Sequence, residues 1–229
     1  MNMGYLKKCI LCLVLLSLSP SIFADNYADD IHWFQRWFDS QTSEPWASFT
    51  KCPALNARVR KSDSCATQGG DFLANRGRNP GHAHFALDIE SKIQSNSNVY
   101  AIGNGRVGLV AKGWPGLGNV IFIEHTINGQ AYYSLYAHLD QISVRKGSTV
   151  AAGENIGTIG YSGNAACLLK KNLPQHVHFA VYKGLLANES IMPRRIHMWK
   201  DLKKMKEYFG VKGFGPLDPT PWLSNNGCV

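Results

Sequence analysis

Two histidines stand one residue apart in the apolar run QHVHFAV, residues 175 to 181. Side chains at i and i+2 of an extended strand share a face, so His176 and His178 project the same way, about 7 Å apart along the chain. A strand that only fills a core has no use for two imidazoles on one face. One can ligate a metal while the other reaches a group bound to that metal. Upstream, HFALD sets His84 four residues before Asp88. Imidazole and carboxylate are ligand types that zinc accepts in hydrolytic sites beside an open water position. A third imidazole, His138, closes the aromatic segment AYYSLYAHL. Each feature alone has an ordinary explanation: His-x-His pairs arise by chance, and a buried histidine bonded to the backbone is a packing residue.

Positioning these groups requires strands, and the sequence supplies them. From Val99 onward the segments VYAI, RVGLVAK, NVIFIEH, AYYSLYAHL and HVHFAVY are rich in β-branched and aromatic residues. GNG, GWPGLGN and NGQ punctuate them as turns. Glycines at 147, 153, 157, 160 and 163 exclude a helix there, and the lack of Gly-Lys-Ser/Thr argues against a phosphate loop. The expected fold is mostly β: an antiparallel sheet folded into a sandwich or barrel-like groove, with helical extensions at both ends.

The ends read differently. Lys7 and Lys8 precede an apolar run from Cys9 to Leu18, followed by Pro20 and by Ala24 as a cleavage position. This is the layout of a secretory signal peptide, and the run is too short to span a bilayer. DDIHWFQRWFDS places aromatics at 33, 34, 37 and 38, a helical spacing with one apolar face. Its simplest role is packing on the body; a lid over a groove is the sharper alternative. Residues 52 to 81 are polar, basic and turn-rich, hence loop. PRRIHMWKDLKKMKEYFG, residues 193 to 210, repeats Ile196, Trp199, Leu202, Met205 and Phe209 at helical spacing. The division is thus a signal peptide 1–24, an extension 25–75, a β domain 76–185, and a C-terminal helix and tail 186–229.

The net charge of +8 falls to +6 without the leader, which suits an anionic polymer such as cell-wall material. Cys52, Cys65, Cys167 and Cys228 then remain, enough for two disulfides in an oxidising compartment. Three pairings are open. Cys52 with Cys65 would close a short loop, and Cys167 with Cys228 would tie the C-terminus back to the body.

Taken together, HFALDI, YAHL, VRKGSTVAAGENIGTIGYSG and HVHFAV resemble the lysostaphin-type (LytM domain) zinc endopeptidases. That family's pattern is His-x-x-x-Asp, Tyr-x-His-Leu, a glycine-punctuated segment, then His-x-His-Phe. AIGNGRV and GNVIFIEH also resemble its intervening strands, and the resemblance covers about residues 80 to 185. It implies one zinc ion held by His84, Asp88 and His178, with His138 and His176 as catalytic histidines flanking its water. Such a site has net charge +1 and activates water for attack on a peptide carbonyl. One histidine acts as base and the other stabilises the oxyanion or protonates the leaving amine; sequence does not divide these roles.

The implied substrate is the peptide of bacterial peptidoglycan, most simply its stem-peptide cross-links. The expected protein is an exported monomer, periplasmic or secreted, with no nucleic-acid partner and no stable membrane anchor after leader cleavage. Two features depart from the pattern: Ala86 replaces a common glycine, and NAACLLKKNLPQ replaces a short turn before His176. His82 does not fit the spacing to Asp88, His125 reads as structural or supporting, and His32 and His197 fall outside the match. Two rivals follow from the same resemblance. One is a non-catalytic wall-binding or amidase-activating module, whose known forms typically lack ligands. The other is an enzyme kept latent by residues 25–75, through Asn26, Asp29, Asp30 or a residue in the loop up to Asn79.

Overall fold

The computed structural model describes residues 45–60, 71, 83–91, 97–184, 198–199 and 215–229. The expected leader, the helix around residues 33–38 and most of the helix expected at 193–210 lie outside them. The main sheet has eight strands. Its path runs through β1 (Ala57–Val59), β3 (Leu87–Ser91), β11 (His176–Lys183), β7 (Gln130–Ala137), β6 (Gly118–Ile127), β5 (Gly105–Trp114) and β9 (Thr149–Val150). The eighth, β13 (Gly215–Leu217), pairs with the C-terminal half of β11 beyond the end of β3. The path stays open between β1 and β9, and every pairing in it is antiparallel. A second sheet orders β4 (Asn98–Tyr100), β10 (Asn155–Ile159) and β8 (Leu139–Ile142). The fold is mostly β and antiparallel, as expected from the glycine-punctuated segments.

Period-2 alternation separates core from chemistry. On β3, Leu87 and Ile89 enter the apolar core while Asp88 and Glu90 face the other way. On β11, Val177, Phe179 and Val181 join that core, and His176 and His178 take the opposite face. All of β11 up to Tyr182 is buried, so both faces are covered. The core continues through Ile121, Ile123, Tyr136, Val99, Ile156 and Ile159.

Two local expectations change. Residues 57–59, expected as loop, form β1 against β3, with Arg58 opposite Glu90. Three residues are too few to register as a period in the sequence, and the partner strand stabilises them. Met198 and Trp199, expected as helix, form β12 (Met198–Trp199) and pair with β2 (Ala83–His84). Tertiary pairing overrides helical spacing there.

The disulfide pairing left open by the sequence is set by the fold. Cys52 bonds Cys228 across 176 residues. Cys167 is disulfide-bonded too. Cys52 and Cys228 meet because residues 46–49 pack on the helix Thr220–Asn225: Trp46 stacks on Trp222 at 5.8 Å, and Trp222 Nε1 donates to the Phe49 carbonyl at 3.2 Å. Folding brings these ends together, so their bond constrains a long loop of the unfolded chain. Replacing Cys228 with Ser should therefore cost about 2–4 kcal/mol, read as a lower melting temperature on which reductant has a smaller effect than on the unmodified chain, since the Cys167 disulfide remains.

Candidate functional site

Antiparallel register sets the centre of the site. His178 lies opposite Asp88, and His176 opposite Glu90, across the β3–β11 pair. The two-residue strand β2 brings in His84, and the corner between β7 and β8 brings in His138. All five residues expected at the site converge, and each is at most 5% exposed. His84 Nε2 is 3.0 Å from His178 Nδ1, His178 Nδ1 is 3.1 Å from Asp88 Oδ1, and His84 Nε2 is 3.3 Å from Asp88 Oδ1. His176 Nε2 stands 3.6 Å from the same carboxylate oxygen. The His138 ring centre is 4.9 Å from that of His176 and 5.7 Å from that of His178.

Backbone carbonyls assign protons within this group. A carbonyl only accepts, so His84 Nδ1, 3.0 Å from the Asp71 carbonyl, donates and leaves the lone pair on Nε2. His138 Nδ1 donates to the Ser162 carbonyl at 2.9 Å, which again puts the lone pair on Nε2. Burial lowers the His178 pKa to about 3, against the raising effect of the Asp88 hydrogen bond. Burial likewise holds His176 well below the usual histidine range. Both rings are therefore neutral at physiological pH.

His84, Asp88 and His178 form a group that could hold a metal ion, one ligand atom from each. The donor set suits zinc: two neutral imidazoles and a carboxylate on a water-poor face. The Asp71 carbonyl behind His84 is the kind of support that orients a ligating imidazole. His178 Nε2 is buried with no hydrogen-bond partner among the described residues, as fits a ring whose other nitrogen, Nδ1, faces the cluster. The residues fit the ion.

His138 owes its place to an unusual backbone. Its φ is +61°, and its N–H donates to the Leu117 carbonyl at 2.9 Å. Its carbonyl partner, Ser162, sits where two chain segments touch. A Cβ on Gly118 would collide with the Ser162 backbone, and one on Gly163 with the backbone nitrogen of Gly118. Ser162 Oγ also accepts from the Asn119 N–H at 2.8 Å. Beyond this corner, the loop before His176 forms a short helix, Ala166–Lys170, with Leu169 exposed.

His125 lies outside the group. Its Nδ1 donates to the Asn104 carbonyl and its Nε2 accepts from Ser134 Oγ, both at 2.8 Å, while its ring meets Phe49 edge-on. It is a packing residue. His82, His32 and His197 fall outside the described residues. Sequence reasoning did not find the Asp71 and Ser162 carbonyls, because backbone groups carry no residue signature. Arg60, whose Nη1 reaches His176 Nδ1 at 3.3 Å, was passed over inside a presumed loop.

Fold and site together define an open antiparallel β protein with a buried His–Asp–His group of metal-ligand type and two further imidazoles beside it. The family model for Peptidase family M23 matches residues 82–193, and the chain belongs to that family. It is 34% identical over 150 residues to the murein hydrolase activator NlpD of Salmonella dublin, covering 64% of this chain and 34% of that protein. It therefore spans about a third of that relative's length. With the lipoprotein NlpD of Yersinia enterocolitica it shares 35% identity over 91 residues, 39% of this chain and 82% of the relative. With the peptidoglycan DD-endopeptidase ShyB of Vibrio cholerae it shares 36% over 98 residues, 43% of this chain and 20% of the relative.

Two outcomes are expected. Gly163→Ala adds a collision at a φ of +69°, and should cost about 1–3 kcal/mol of stability and displace the Ser162 carbonyl; thermal melts and the activity described below would register both. Burial lowers the His125 pKa to about 4, so the unfolded chain binds that proton first as pH falls. The stability His125 contributes above pH 6.5 is lost as pH falls towards 4, a loss of about 3 kcal/mol. His125→Gln should flatten that part of the melting-temperature profile.

Proposed function

We propose that this chain is an exported zinc metalloendopeptidase that hydrolyses peptide bonds in the stem-peptide cross-links of peptidoglycan. The observation that carries the reading is the convergence of the His84, Asp88 and His178 ligand atoms beside His138 and His176. Family membership supplies the reaction class, and the kinship with ShyB, named as a peptidoglycan DD-endopeptidase, supports the substrate class. The expected division of the chain, with residues 1–24 as the leader and 76–185 as the catalytic domain, belongs to this proposal. So does a periplasmic or secreted location. Among the described residues no helix is long and apolar enough to cross a membrane.

His84, Asp88 and His178 would hold the zinc. Bound there, zinc supplies Lewis acidity that acidifies a water and polarises the scissile carbonyl. The rest falls to this chain's own groups. His138, with Nδ1–H held by Ser162, takes a proton from the attacking water at Nε2 and passes it to the leaving amine nitrogen. The Ser162 carbonyl steadies the imidazolium meanwhile. His176, on the same face as the ligands, lies within reach of the same reacting atoms. Burial of all five side chains strengthens each of these interactions.

A non-catalytic activator module is the second reading, and the kinship with the murein hydrolase activator of Salmonella favours it. The complete ligand and histidine set weighs against it. Mass spectrometry of cross-linked peptidoglycan, incubated with the mature protein with and without a zinc chelator, separates the two. Chelator-sensitive release of uncross-linked stem peptides is expected. His138→Ala should reduce that release by about 100- to 10,000-fold while retaining zinc. Cross-links intact in every sample would favour the activator.

A further inference from the structure

We infer that Arg60, just after β1, is a positioning residue that fixes His176 with its proton on Nε2, making His176 the hydrogen-bond donor of the site and leaving proton abstraction to His138. The role in catalysis rests on the endopeptidase reading above; the proton position does not.

A guanidinium carries only donors, so in its 3.3 Å contact with His176 Nδ1 the arginine donates and the ring nitrogen accepts. A neutral imidazole that accepts at Nδ1 holds its proton at Nε2. That nitrogen faces the ligand group, 3.6 Å from Asp88 Oδ1. His138 is set the other way, with its proton on Nδ1 by the Ser162 carbonyl. The two histidines are thus opposite tautomers whose rings lie 4.9 Å apart. Of these two, His138 offers the lone pair at Nε2 for the water's proton. His176 offers an N–H there, suited to hydrogen-bond the carbonyl oxygen as negative charge develops on it. No proton leaves His176 in this scheme.

Arg60 is built into this position. Its backbone N–H donates to the Asp88 carbonyl at 2.8 Å, locking it beside the strand that bears a ligand. Its Nε pairs with Glu90 Oε1 at 3.3 Å, and Glu90 Oε2 takes Arg58 Nε at 2.9 Å. Glu90 is also the register partner of both Arg58 and His176. The guanidinium is therefore held on one side by a carboxylate and presented on the other to the imidazole. Only 4% of Arg60 is exposed, whereas Arg58 extends into solvent. A bracing ion pair for β1 would need Glu90 but not the contact with His176.

The test uses the full mature chain loaded with zinc, its histidines labelled with nitrogen-15 for NMR. The His176 resonances should report a protonated Nε2 and an unprotonated Nδ1. Arg60→Met should bring in the Nδ1–H form and lower kcat on a cross-linked muropeptide by about 10- to 100-fold, with KM within about twofold. Arg60→Lys, which restores a donor, should recover most of kcat, and Arg58→Gln should leave both constants alone. A proton on Nδ1 in the unmodified chain overturns the proposal, even if the methionine variant does not fold. So does an unchanged tautomer in folded Arg60→Met, or a loss of kcat that only follows lost zinc or lost melting temperature. If the unmodified chain cleaves no cross-links yet its His176 tautomer depends on Arg60, the endopeptidase reading fails and the positioning role stands.

Discussion

The pairing of His178 with Asp88 across β3 and β11 is the constraint on which the rest of the site depends. Side chains in a strand alternate with period two, so one register decides which residues share a face. In this register Asp88, Glu90, His176 and His178 share one face, while Leu87, Ile89, Val177 and Phe179 enter the core on the other. A slip of one residue would turn one strand over against the other, burying either two imidazoles or two carboxylates among aliphatic side chains. The cost of that burial is far larger than any local preference of the strands. Core packing therefore selects the chemical arrangement. The apolar half of β11 is as necessary to the site as its histidines.

Groups outside the main sheet complete the arrangement by fixing proton positions. The Asp71 and Ser162 carbonyls each take an Nδ1–H and turn an Nε2 lone pair to use. A carbonyl cannot be titrated or rotated away, so it holds a tautomer more firmly than a mobile side chain would. That firmness depends on close backbone approach. The Ser162 carbonyl reaches His138 only because Gly118 and Gly163 allow two turns to touch, and because His138 itself accepts a left-handed φ. Left-handed backbone at a residue with a side chain costs about 1–2 kcal/mol, and the surrounding contacts sustain it.

Much of this was legible in the sequence, for definable reasons. His176 and His178 announce a shared face by spacing alone, and the glycine-bounded β segments announce the antiparallel sheet around them. The ordered motifs from His84 to His178 added what spacing could not, since three distant segments meet only in the fold. What stayed hidden depends on long-range or backbone contacts. Arg58 and Arg60 alternate as in a strand, yet three residues among polar ones give no period, and only the edge of β3 organises them. Met198 and Trp199 fall within the helix expected from the sequence and pair with β2 in the fold. Cys52 and Cys228 join because Trp46 and Phe49 pack on Trp222, a contact across the whole described chain. The same reasoning by loop length that suggested Cys52 with Cys65 cannot see such a contact.

Charge balance explains how an arginine can stand beside a candidate cation site. A buried guanidinium close to the His84, Asp88 and His178 group would oppose a divalent ion there unless its charge were answered nearby. Glu90 answers it at 3.3 Å, on the same strand as Asp88 and two residues further along. Arg58 then shares Glu90 from the solvent side, where screening reduces its influence on the interior. His176 and His178 remain neutral through burial, so neither cancels the Asp88 carboxylate as an imidazolium would. The face thus keeps its negative charge on the Asp88 carboxylate and its positive charge locked in an Arg–Glu pair. Removing Glu90 would undo this separation and turn Arg60 from a positioning group into a competitor for the Asp88 carboxylate. By this logic the Arg60–Glu90 pair belongs to the electrostatics of the site as much as to the stability of the sheet edge.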